Sequence, residues 1–317
     1  MSDRDASRVV AVVVAYNRLE LLGECLEALT SQTRPVDAVV VVDNASTDGS
    51  PDMVAERFPD LDLVRLSANT GGAGGFSVGI DRALEQHDAD LVWIMDDDTM
   101  PTPTALAELL RIRSTRPDLA LQASKAIWTD GREHPMNTPK QRIGAPAESI
   151  SAAQAQGAIP VRSASFVSLL VDARAVRRVG APVAAYFIWN DDFEFTARLL
   201  RSAEGWYCPA SVVMHKTKVF GSSDADPGER FFFEVRNKIW LFRFSPAFGL
   251  GERLLYIAAT ARRWLRTWLR SSDRAVLGAA GRRGWREGWR TRPRDNDAVL
   301  APAFAGGAAG AGGAAGG

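Results

Sequence analysis

The sequence predicts an α/β protein: a mostly parallel sheet covered by helices, followed by a basic helical extension. Two observations give the sheet. From Val9 to about Thr115, β-branched apolar runs alternate with helical repeats, and carboxylates stand directly behind two of those runs, at the strand ends where open α/β sheets keep their ligands. The third observation gives the extension. The 317-residue chain has no formal net charge, yet residues 249–294 hold 12 arginines, no lysine and 3 acidic residues, a local balance of +9. An acidic body joined to a basic segment suits an anionic partner.

Val9 to Ala15 has no polar interruption, as expected of a strand buried on both faces, and Leu19 to Ser31 places Leu22, Cys25, Leu26 and Leu29 along one helical face. Ala38 to Val42 reads as the second strand, Pro51 to Phe58 as a helix with proline in its first turn, and Leu63 to Leu66 as the third strand. Residues 69–75 read as a glycine-rich loop and Phe76 to Gln86 as a helix. Leu91 to Met95 and Thr102 to Thr115 give a fourth strand and helix. From about Lys125 to Ser163 periodicity is lost, which predicts loops with at most one short helix, the kind of stretch that covers substrates. Order returns with strands at Phe166 to Val171 and Tyr207 to Val213, helices at Ala173 to Val179 and Asp192 to Ser202, and helical character beyond Glu229.

Leu250 to Arg270 sets Leu254, Ile257, Ala261, Trp264, Leu265 and Trp268 along one face and Arg262, Arg266 and Arg270 along another. A second basic cluster, interleaved with Trp285 and Trp289, follows. Residues 298–317, rich in alanine and glycine, are expected to be disordered. With 46% hydrophobic residues the chain supports a large core, but no run of about 18 apolar residues predicts a membrane span and nothing reads as a signal peptide. Two cysteines, Cys25 and Cys208, form neither a disulfide framework nor a zinc pattern, which fits a reducing cytoplasm.

Asp96, Asp97 and Asp98 follow a buried strand directly. In extended backbone Asp96 and Asp98 face one way and Asp97 the other. Adjacent carboxylates repel unless a cation compensates, so a hard divalent ion, Mn2+ or Mg2+, is the natural partner; the alternative is an acidic turn before the next helix. Asp43 ends the second strand in the same way and is placed to accept the imide hydrogen of a uracil or thymine base, or to close an Asx-turn with its neighbours. Asn69 to Gly75 allows close approach to phosphate or sugar oxygens, or is a plain turn. Asp192 is a candidate general base, although Asp191 and Glu194 have capping-box spacing. His215, behind a predicted strand, is a candidate third ligand beside Asp96 and Asp98.

Ala15-Tyr16-Asn17-Arg18, VVDNASTDGS from Val41, the acidic triplet and NDDFEF from Asn190 together resemble family-2 glycosyltransferases of the GT-A, Rossmann-like fold, over roughly Val9 to Phe244. NTGGAGGF from Asn69, FIWNDDFEF from Phe187 and DPGERFFFEVRN from Asp226 are similar to galactofuranosyltransferases that begin mycobacterial-type galactan. The resemblance implies a catalytic domain over 1–244, with a nucleotide-sugar half at about 9–124 and an acceptor half at about 164–244, then a basic extension over 245–297. It implies inverting transfer from UDP-galactofuranose to a polyprenyl diphosphate-linked rhamnosyl-N-acetylglucosamine on the inner face of the plasma membrane, in arabinogalactan and cell-wall biogenesis. Asp43 would read the uracil, with Ala15, Tyr16, Arg18, Asn69, Gly72, Asp96 and Asp97 around the nucleotide-sugar. Asp96, Asp98 and His215 would hold the metal, Asp192 would be the base with Asp191 as fallback, and Trp189, Asn190 and Arg236 would meet the acceptor. The chain departs from the pattern after Ser168, where many members carry glycine and Leu169 stands here.

The basic helix suits an anionic membrane surface; packing on the catalytic domain or in a homo-oligomer is the alternative. Interleaved tryptophans without lysine argue for lipid over nucleic acid. The competing activities are rhamnosyl transfer from dTDP-rhamnose and nucleotide-sugar binding without turnover.

Overall fold

The computed structural model describes residues 7–220 and 226–305. Strands β1 (Val9–Ala15), β2 (Ala38–Asp43), β3 (Asp62–Arg65) and β4 (Leu91–Asp96) form a parallel half-sheet in the order β3-β2-β1-β4. Its helices are α1 (Leu19–Thr30), α2 (Ser50–Arg57) and α3 (Gly71–Glu85). The alternation along β1 explains its unbroken apolar run. Val10, Val12 and Val14 enter the core beneath α3, while Val9, Ala11, Val13 and Ala15 enter the core beneath α1, so neither face tolerates a polar residue.

A mixed half completes the sheet: β5 (Thr99–Pro101), α4 (Ala105–Thr115), β6 (Leu121–Ile127), β7 (Lys140–Gln141), α5 (Ala147–Ala155), β8 (Ile159–Ser163), β9 (Leu169–Asp172), α6 (Ala173–Val179), α7 (Asp191–Leu199) and β10 (Gly205–His215). β9 lies antiparallel between β4 and β6, and β10 continues beside β6 and β8. The stretch expected to be loops thus carries three strands and a helix. Its strands are short or partly polar, and β6, Leu-Gln-Ala-Ser-Lys-Ala-Ile, owes its place to pairing with β9 and β10 rather than to a local apolar pattern.

The glycine-rich segment is not a loop. α3 begins at Gly71, and its glycines let the helix lie close on the sheet: a Cβ at Gly75 would stand 2.4 Å from Val14 Cγ1, and one at Gly79 2.3 Å from Val12 Cγ1. The strand expected from Phe166 begins only at Leu169. Ser168 is buried, with its hydroxyl bound to Trp93 Nε1 and Ser124 Oγ, which makes it part of the core.

Helices α8 (Phe231–Phe244), α9 (Leu250–Arg270), α10 (Arg274–Arg290) and α11 (Asn296–Ala305) follow. α9 is the basic amphipathic helix; Thr260 is its one buried residue, and Leu250, Leu254, Leu265 and Trp268 are exposed. Glu252 ties it to Arg162, and Arg263 and Trp264 to Glu234. The expected tail from residue 298 is corrected as far as Ala305. Asn296 accepts from Ala184 N–H and donates to Ser77 Oγ and the Pro182 carbonyl, and Leu300 and Ala303 enter the main core. Two apolar residues on one helical face were hidden in a low-complexity composition. Residues 306–317 lie outside those described. Among the described residues no helix is long and apolar enough to cross a membrane.

Candidate active site

The carboxyl ends of β2, β1 and β4 lie side by side, since Ala15 pairs with Asp43 and Val14 with Asp96. Asp43 is 3% exposed; its Oδ2 accepts the Ser46 N–H at 3.2 Å, while its Oδ1 is buried with no hydrogen-bond partner. Asp43 therefore closes the turn with one oxygen and leaves the other for a ligand donor. Next to it Asn44 Oδ1 accepts from Thr70 N–H, and Asn44 Nδ2 donates to the Gly71 carbonyl, fastening β2 to the start of α3. Tyr16 is exposed beside this edge, Asn69 Oδ1 accepts the Gly71 N–H, and Gly72, in the first turn of α3, has open space where a Cβ would be.

Asp97 turns toward β1, where its Oδ2 accepts the Tyr16 N–H at 3.0 Å and its Oδ1 accepts from Arg18 at 3.1 Å. Arg18 also pairs with Asp98 Oδ2. The third member arrives through strand pairing: β5 runs antiparallel to β10 with Thr99 opposite His215, which brings the imidazole beside Asp98. His215 Nε2 lies 3.0 Å from Asp98 Oδ1, and that buried oxygen has no other donor among the described residues. One ligand atom from each of Asp96, Asp98 and His215 lies within 4.8 Å of the others. His215 Nδ1 faces Asn137 Oδ1 at 2.9 Å; as donor there it leaves Nε2 with its lone pair toward the carboxylates. Two carboxylates, an imidazole and an orphaned oxygen fit a small hard cation such as Mn2+ or Mg2+.

The electrostatics agree. Burial, then the Asp98 and Asp97 charges, hold the Asp96 carboxyl well above its usual range, and Asp191 adds to the effect. Burial pushes Asp97 up to about 6 against the pull of Arg18. At Asp98 burial works upward too, but His215 and Arg18 outweigh it and the pKa is lowered. A cation here would relieve the repulsion among these carboxylates.

Asp191 and Asp192 open α7. No side chain caps this helix; Glu194 pairs with Arg198 and accepts from Ser245 Oγ, so the capping-box alternative is not realised. Burial and the Asp192 charge push Asp191 up to about 8. Asp192 keeps part of its surface open, yet burial raises its pKa as well, opposed by the Phe193 N–H and by Lys238. Lys238 is itself buried, its ammonium 4.0 Å from the Phe193 ring centre and depressed by burial to about 7.

The expected acceptor residues divide. The Trp189 indole makes no hydrogen bond or ring contact with the described residues and stays half-buried at the loop. Asn190 Nδ2 donates to Glu234 Oε2 at 2.8 Å. Arg236 is largely buried: its guanidinium donates to the Ala185 and Tyr186 carbonyls and to Asn237 Oδ1, pairs with Glu287 and lies over Phe232, Phe233 and Trp240, at the wall of a cavity that Asn69, Thr70 and Phe187 also line. Sequence reasoning missed Asn137 and Asn237, whose partners lie in other elements; only the VRN triplet after the phenylalanines hinted at the second.

A family model described as glycosyl transferase family 2 matches residues 10–173. Galactofuranosyltransferase GlfT1 of Mycobacterium tuberculosis is 30% identical over 247 residues, 73% of this chain and 80% of that protein. N-acetylglucosaminyl-diphospho-decaprenol L-rhamnosyltransferase of the same organism is 26% identical over 234 residues, 64% of this chain and 74% of that protein. Among solved structures, S. aureus TarS in complex with UDP superposes with a TM-score of 0.58 at 16% identity, covering 82% of this chain and 72% of that one. The last is a likeness of fold.

Proposed function

The chain belongs to glycosyl transferase family 2, and from that premise we propose that it is an inverting, divalent-metal-dependent galactofuranosyltransferase. The donor is UDP-galactofuranose and the acceptor a polyprenyl diphosphate-linked rhamnosyl-N-acetylglucosamine, met at the anionic inner face of the plasma membrane. The observation that carries this reading is the meeting of Asp96, Asp98 and His215 beside the orphaned oxygen of Asp43. The similarity to GlfT1 supports the choice of sugar.

Asp43 Oδ1 takes the uracil imide hydrogen, which leaves the diphosphate over Arg18 and the first turn of α3, where a helix start favours negative charge. Asp96, Asp98 and His215 would hold the cation, which would supply positive charge to neutralise that growing on the departing UDP. Asp192, raised in basicity by burial, takes the proton of the acceptor hydroxyl as it attacks the anomeric carbon; Asp191, whose charge reaches Asp96, is the alternative base. A single displacement inverts that centre. The exposed leucines, Trp268 and arginines of α9 meet the membrane, so the described residues, among which no helix is long and apolar enough to cross it, can reach a lipid-linked acceptor.

The test is Mn2+-dependent transfer from UDP-galactofuranose to a synthetic rhamnosyl-N-acetylglucosaminyl lipid by wild type, Asp98→Ala and Asp192→Asn. Product from wild type alone supports donor, metal site and base. Absence of product, donor hydrolysis and donor binding in wild type overturns the donor, and turnover with dTDP-rhamnose would then assign the rhamnosyl reading.

A further inference from the structure

Just before α7 the chain makes a short excursion in backbone that side chains resist. Phe187 sits at φ 66° and ψ −72°, with the Ile188 N–H donating to the Tyr186 carbonyl at 2.8 Å, a γ-turn of the rare positive-φ form. Trp189 and Asn190 follow at φ 66° and 65°. Three non-glycine residues with positive φ within four positions persist only where the surroundings over-determine them. Here the carbonyls are held one by one. Ala185 and Tyr186 accept from Arg236, Phe187 accepts from Ala73 N–H at the start of α3, and Tyr186, Ile188 and Trp189 accept from Asn237 Nδ2 at 3.0, 2.9 and 2.8 Å.

Asn237 is 0% exposed. Its Oδ1 accepts from Arg236 Nε at 3.0 Å, so both amide hydrogens are turned toward the loop and are shared among three carbonyls. Neither Asp, whose carboxylate has no hydrogen to donate, nor Leu, which has no polar hydrogen, can do this. The loop is thereby pinned between α8 and the helix start that Asn44 fastens to the Asp43 turn. Beyond it, with one residue between, come Asp191 and Asp192.

We propose that Asn237 is a positioning residue for sugar transfer: its amide holds the strained Tyr186–Trp189 backbone and so aims the carboxylates that open α7. The inference rests on the reading that Asp192 or Asp191 is the base. It predicts that loosening this clamp harms the transfer step far more than UDP binding, because Asn237 touches neither the Asp96, Asp98 and His215 cluster nor Asp43, and the start of α3 keeps its own bonds to Asn44.

The experiment compares wild type with Asn237→Asp, which keeps volume and the Arg236 contact, and with Asn237→Gln, which keeps the N–H donors one methylene further out. Expected for N237D is a fall in kcat of roughly a hundredfold, with donor KM and the Kd of UDP with Mn2+ within about threefold of wild type. Amide hydrogen exchange over residues 187–192 should quicken while the rest of the chain is unchanged, and N237Q should recover part of the lost kcat. If N237D does not fold, N237Q carries the same prediction of lowered kcat with retained UDP binding. A kcat within about threefold of wild type, a parallel loss of UDP affinity, or failure of both variants to fold overturns the proposal. Full transfer by Asp192→Asn and by Asp191→Asn would instead overturn the base reading, whatever N237D shows of the loop.

Discussion

The exposed stripe of α9 gives a prediction whose size follows from surface area. Leu254 is 59% exposed, Leu265 58% and Trp268 44%, and all three lie on the face opposite most of the arginines. A fully buried leucine gains roughly 1.5–3 kcal/mol over an exposed one, so each of these two has about 1–1.5 kcal/mol left to gain at an interface. Leu254→Ser with Leu265→Ser should therefore cost about 2–3 kcal/mol of membrane affinity, a reduction of roughly 30- to 150-fold in partitioning. The assay is cosedimentation with vesicles of phosphatidylcholine and phosphatidylglycerol at fixed ionic strength, with a thermal melt of the same protein. Tm should hardly move, since these side chains cover little of the fold. Unchanged partitioning would refute the membrane reading. A lowered Tm with unchanged partitioning would show that the stripe is packed against protein, as a dimer contact would require.

Further predictions concern the sheet and the site. Asp43→Ala removes the only acceptor proposed for the uracil imide and should weaken UDP binding by about 1–3 kcal/mol, roughly 5- to 150-fold, in isothermal titration calorimetry; unchanged affinity would place the base elsewhere. Gly79→Ala drives a methyl to 2.3 Å from Val12 Cγ1 and 3.1 Å from Val42 Cγ2; overpacking of that kind costs about 1–3 kcal/mol and should lower Tm in calorimetry. A base must be ionised to work, and burial raises the pKa of Asp192, so kcat should rise with pH along a limb that lies above the usual carboxylate value of about 4. A pH profile with its acidic limb at or below that value would argue against a buried carboxylate base.

Where local pattern and tertiary environment agreed, the chain could be read directly. The parallel half was legible because β1 is buried on both faces and α1 buries one stripe, so apolar period reported burial there. Asp43 and the acidic triplet were legible because strand ends in such a sheet converge on one edge. His215 was marked only by its place behind a predicted strand, and the family resemblance strengthened that reading; the antiparallel pairing of β5 with β10 explains how it reaches Asp98.

By itself, then, the sequence determined the alternating strands and helices up to α4, the strand-end carboxylates, and the basic amphipathic helix, all properties of periodicity and composition within a few residues. Tertiary structure alone decided the rest. The glycines after Thr70 became a helix because β1 lies too close for side chains. Polar β6 became a strand between two partners, and α11 was ordered by Asn296 and Leu300. Arg236 became a structural clamp because carbonyls of a distant loop satisfied it. The physical reason is common to all four: a buried backbone group or side chain takes its conformation from contacts tens to hundreds of residues away, and those contacts leave no local period in the chain.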